Sequence, residues 1–165
     1  MDFGLLALRA TAGLVMSAHG AQKLFGWFGG HGLAATSGFF ESIGFRPGRP
    51  LAAAAAISEC LGGLLIAFGV LGPVGPALVL ATMIVAASVH WQNGLFAMQG
   101  GIELPLLYGA VAVALALVGP GAYSLDAALG LGAIWTPAVD ALALAAALTG
   151  GIVNLAARRP APVEV

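Results

Sequence analysis

Eight ionisable residues of this chain lie in or beside long apolar stretches: Arg9, His19, Lys23, Glu59, His90, Glu103, Asp126 and Asp140. A charged group at the centre of a membrane helix costs about 2.5–3.5 kcal/mol on insertion scales, so it needs a partner or a task. Glu59 makes the strongest case. Ala52, Ala55, Ala56, Gly62 and Gly63 surround it at helical spacing, and such small residues mark a face that meets another helix. Arg9, His19 and Lys23 fall within an arc of about 80° on one helix, together with Ala12, Gly13 and Gly20. A histidine and a carboxylate that meet away from water suit proton handling, binding of a carboxylate or a quinone, or passage of a cation.

The elements that must position these residues follow from composition. Of 165 residues, 60% are hydrophobic and 8% are charged, with 6 Lys and Arg against 7 Asp and Glu for a net charge of −1. Soluble domains carry about a quarter charged residues. The composition therefore excludes a soluble enzyme, a disordered chain and an electrostatic nucleic-acid binder. One cysteine, Cys60, excludes a disulfide framework and dithiol exchange, and without a resolving partner it reads as inert. Five stretches approach the ~20 apolar residues of a spanning helix: 5–25, 51–71, 75–92, 102–120 and 136–156. Pro50, Gly72-Pro73, Gly119-Pro120-Gly121 and Thr136-Pro137 punctuate them. A short interfacial helix over 34–43 is expected between the first two, in a loop rich in Trp and Phe. Reading the first stretch as a signal peptide cleaved after Met16-Ser17-Ala18 is disfavoured by its scarce basic residues and polar face.

With five spans, Lys23, Arg46, Arg49, Arg158 and Arg159 fall on one side, here side B, and only Arg9 lies nearer the other, side A. The positive-inside rule makes side B cytoplasmic, with the N-terminus outside and the C-terminus inside a cell (inner) membrane. At about 1.5 Å per residue, Lys23, His90 and Glu103 lie near the side B boundary and His19 and Glu59 about 10–13 Å deeper. The expectation is a polar funnel in which Glu59 meets His19 and Glu103 meets Lys23 or His90. Arg9 is expected to form a structural ion pair with Asp126 or Asp140. Plainer readings exist: Lys23 snorkels to the interface, and His90 beside Trp91 is an interfacial residue. No dinucleotide fingerprint and no metal-spaced histidine pair is present, and no metal is expected; His19 and His90 alone are thin grounds for a haem. His31, among loop glycines, receives no role.

The segment Gly13 to Phe25, with His19-Gly20-Ala21-Gln22-Lys23-Leu24-Phe25, resembles the first helix of the DoxX family of membrane proteins. The resemblance continues through Glu59 with Gly62-Gly63, His90-Trp91-Gln92-Asn93-Gly94-Leu95-Phe96 and Gly100-Gly101-Ile102-Glu103 to Gly119-Pro120-Gly121-Ala122-Tyr123-Ser124-Leu125-Asp126. It implies an all-α, integral membrane helical bundle with a four-helix core over 1–132. Residues 133–157 then form an additional transmembrane helix and 158–165 a polar tail. Members look like subunits of membrane redox systems, including a relative in an archaeal thiosulfate:quinone oxidoreductase. The resemblance thus implies a redox-associated subunit, with quinone as the cofactor it would meet. It carries over Arg9, His19, Lys23, Glu59, His90, Glu103 and Asp126. The partners expected are the lipid bilayer, redox subunits and a second copy of the chain, and no nucleic acid. A small-solute or proton-coupled transporter and a structural assembly subunit are the alternative readings.

Overall fold

The computed structural model describes residues 2–159, and the end of the expected polar tail, 160–165, lies outside them. Seven α-helices occur among the described residues: α1 Asp2–Phe25, α2 Gly32–Ser42, α3 Gly48–Phe68, α4 Val74–His90, α5 Glu103–Val118, α6 Leu125–Ala128 and α7 Pro137–Ala156. The fold is an all-α membrane helical bundle, and the five long helices match the five apolar stretches to within a few residues. By length and apolarity, α3, α7 and α4 with its 3-10 extension to Asn93 are sufficient to cross a membrane. The apolar α5 is 16 residues long, and α1, with 24, carries Arg9 and Lys23. The short helix expected over 34–43 forms as α2, lying against α1 and α3.

Small residues set the architecture. Along the α1–α3 contact, a Cβ on Gly13 would lie 2.5 Å from the Gly63 carbonyl oxygen, and one on Gly20 would lie 2.6 Å from the Ala56 oxygen. Both distances are far inside van der Waals contact, so only glycine lets these backbones approach so closely. Ser17 Oγ crosses the same seam to donate to the Cys60 carbonyl at 3.0 Å. The remaining helices gather on α4, which packs on α3, α5 and α7. Met16, Ile66, Val79, Leu80, Met83, Ala112 and Leu115 form the core, and Ala147 brings α7 into it. The C-terminal helix is thus packed on the rest of the bundle, with Gly151 seated against Ile84.

Local chemistry ends the helices where turns are needed. Gly69 closes α3 in the left-handed region at φ 62°. Thr136 caps α7, its hydroxyl accepting from the Val139 N–H at 3.4 Å, and Pro137 follows at the first helical position.

Candidate functional site

Near side B the close α1–α3 approach sets Lys23 against Glu59. The Lys23 ammonium donates to Glu59 Oε1, and this is the one salt bridge among the described residues. Glu59 is only 2% exposed, whereas Lys23 is 34% exposed. The second carboxylate oxygen, Glu59 Oε2, is buried with no hydrogen-bond partner in the protein. A lone polar atom in such a place is unfavourable by several kcal/mol unless something donates to it. The expected meeting of Glu59 with His19 is replaced by the lysine pair. Lys23 lies one turn closer to side B than His19, and its long stem spans that turn. His19 turns instead to α5, where it meets the Tyr108 ring edge-on with centroids 6.2 Å apart.

Two cavities meet at this pair. The larger, about 440 Å³, lies between α2, α3, α4 and the end of α7. Its walls are mainly apolar and aromatic, with Phe39, Phe40 and Phe45 among them, and Lys23, Glu59 and His90 supply charge and hydrogen bonding. The smaller, about 280 Å³, lies between α1, α4, α5 and the loop after α4, and His19 and Tyr108 line it. Lys23, Glu59, Ala86 and His90 belong to both. Of the five residues assigned to a polar funnel, four therefore converge: His19, Lys23, Glu59 and His90. Glu103 does not join them. Its Oε2 accepts from the Ala97 N–H at 2.8 Å and closes the loop between α4 and α5. His90 is anchored to the same loop, Nδ1 lying 2.8 Å from the Gly100 carbonyl oxygen.

Three contributors escaped the sequence reading. His31 lines the larger cavity from the loop before α2, and Asn154 lines it from α7. Phe45, 2% exposed, lies under the Arg158 guanidinium, whose carbon is 5.6 Å from the ring centroid. The aromatic content of residues 27–50 was the available signal. A loop has no period, however, from which to tell which way a side chain points.

At side A the expected ion pair of Arg9 with Asp126 or Asp140 is not formed. Arg9 is 2% exposed, and its Nη2 donates to the Tyr123 carbonyl. Asp126, fully buried, accepts from the Leu71 N–H at 3.0 Å and the Gly72 N–H at 2.7 Å, while its own N–H donates to the Gly69 carbonyl. The α3–α4 turn leaves these N–H groups without helical partners, and a carboxylate is a strong acceptor for them. Asp140 lies in the first turn of α7, where a negative charge suits the helix dipole.

No group of three or more His, Cys, Asp or Glu side chains among the described residues could hold a metal ion. A family model, DoxX, matches residues 4–91, more than half of the chain, from Gly4 in α1 to just past the end of α4. No curated protein and no solved structure matches it.

Proposed function

The chain belongs to the DoxX family of membrane proteins, and from that premise we propose that it is a redox-associated membrane subunit binding a quinone-like or small anionic ligand beside Lys23 and Glu59. The observation that carries the reading is the Glu59 carboxylate: buried, held at one oxygen by Lys23, with its other oxygen unpartnered at the junction of two cavities. Ligand pockets are commonly about 300–1,000 Å³, mostly apolar, with a few convergent polar groups, and the larger cavity has that composition. In this reading the aromatic wall of α2 receives a ring, Lys23 and His19 orient or protonate the ligand, and Glu59 relays protons. The four-helix core over 1–132 supplies the charged groups, and the helix over 133–157 completes the wall. The protein sits in the cell (inner) membrane with its N-terminus outside and its C-terminus in the cytoplasm.

The test is extraction of the protein from native membranes, followed by mass spectrometry of its lipid-soluble and small-anion contents. Wild-type protein should retain a quinone or a small anion at near-stoichiometric amounts, and folded Glu59→Gln protein should lose most of it. Retention of neither species by folded wild-type protein removes the reading. Solute uptake by proteoliposomes that Glu59→Gln abolishes would replace it with transport.

A further inference from the structure

We propose that the larger cavity selects the reduced, hydroxyl-bearing form of its ligand, a hydroquinone in preference to the quinone. The proposal rests on the ligand site assigned above and concerns which redox state that site holds.

The hydrogen-bonding atoms left uncommitted around the cavity are predominantly acceptors. Glu59 Oε2 is a carboxylate oxygen with no donor from the protein. His90 Nδ1 faces the Gly100 carbonyl oxygen at 2.8 Å. A carbonyl can only accept, so Nδ1 carries the hydrogen, and in that tautomer Nε2 is an acceptor. Asn154 repeats the logic. Its Nδ2 donates one hydrogen to the Gly150 carbonyl at 2.8 Å, which fixes the amide orientation and leaves Oδ1 as an acceptor beside the second N–H. Thr36 and Thr82 donate their hydroxyl hydrogens to the Gly32 and Val79 carbonyls of their own helices, each at 2.8 Å, so their lone pairs alone remain. All five residues line this cavity.

Donors are fewer. Lys23 has one N–H on Glu59 and two left to orient the ligand, and Asn154 keeps one N–H beside its oxygen. Ser58 and His31 can act either way. A quinone brings acceptors only and leaves Glu59 Oε2 without a donor. A hydroquinone brings two O–H donors, and an O–H on a carboxylate is a strong, charge-assisted bond. A site built around unmet polar groups rejects the analogue that cannot meet them far more strongly than a merely apolar pocket would.

The chain tested is the full-length protein in lipid nanodiscs. A decyl-substituted benzoquinone and its two-electron-reduced hydroquinone are titrated calorimetrically under anaerobic conditions in one buffer. The hydroquinone should bind at least tenfold more tightly. Thr82→Val, which removes an acceptor and keeps the side-chain shape, should narrow that ratio severalfold, and Glu59→Gln, where folded, should narrow it most. Equal affinities, or tighter binding of the quinone, overturn the selectivity and leave the ligand site standing. Binding of neither form overturns both. A ratio unchanged in both variants also overturns the proposal, because the preference would then not arise from these acceptors.

Discussion

The two ends of the bundle each bury one carboxylate, and they treat it in opposite ways. At side A, Asp126 takes backbone N–H groups on both oxygens and stitches the α3–α4 turn to the segment after α5. At side B, Glu59 has one oxygen on Lys23 and the other unpartnered, with a cavity on either side. Burial is nearly equal, at 0% and 2% exposure, so burial does not distinguish them. What differs is whether the surroundings complete the carboxylate's hydrogen bonds. A carboxylate whose acceptors are filled by the fold is a fastener. One left half-filled beside space keeps an acceptor for whatever enters it.

The contrast has a stability side that can be broken experimentally. Asp126→Ala should cause the largest loss, about 3–5 kcal/mol, because two charge-assisted bonds vanish and two turn N–H groups lose their acceptor. Unfolding in mild detergent measures it, and a loss below about 1 kcal/mol would reduce Asp126 to a bystander. Lys23→Met should cost about 2–3 kcal/mol by leaving Glu59 without its countercharge, less than for a fully enclosed pair because Lys23 is partly exposed. Adding Glu59→Gln should recover most of that loss, and a double variant no better than Lys23→Met would show that packing, not charge, sets the cost. Gly13→Ala pushes a methyl group into the Gly63 carbonyl and should cost about 1–2 kcal/mol. Because it spreads α1 from α3, it should also weaken ligand retention at side B, which Asp126→Ala should not do in the protein that remains folded. Ser17→Ala removes one hydrogen bond across the seam, and the loss should be smallest, about 0.6 kcal/mol by unfolding titration.

Much of the fold could be read from spacing alone. Apolar length placed the five long helices, and Thr136-Pro137 placed the start of α7, because these signals are local. Depth was also legible, since 1.5 Å of rise per residue brought Lys23, His19, Glu59 and His90 to one end. Pairing was not. The choice of Lys23 over His19 as the partner of Glu59 depends on how closely α1 and α3 approach, which is a property of two helices at once. Tyr108 lies about 140° around α5 from Glu103, so the two cannot share one face. It lines the smaller cavity, whereas Glu103 turns away to the Ala97 N–H. Arg9 and Asp126 lie near one another in any count of charges. Each nonetheless finds a backbone group, and backbone groups freed by turns leave no trace in residue type.

The seam between α1 and α3 has a consequence for how the chain enters the membrane. The lysine of α1 is matched by a carboxylate 36 residues later, and its arginine by a carbonyl 114 residues later. The helix that emerges earliest among its partners is therefore the one least suited to sit alone in lipid. Its two charges meet their partners only once α3 and then the segment around Tyr123 are present. A fragment ending after α1 should therefore insert less efficiently than one that extends through α3, as a glycosylation-mapped insertion assay would measure.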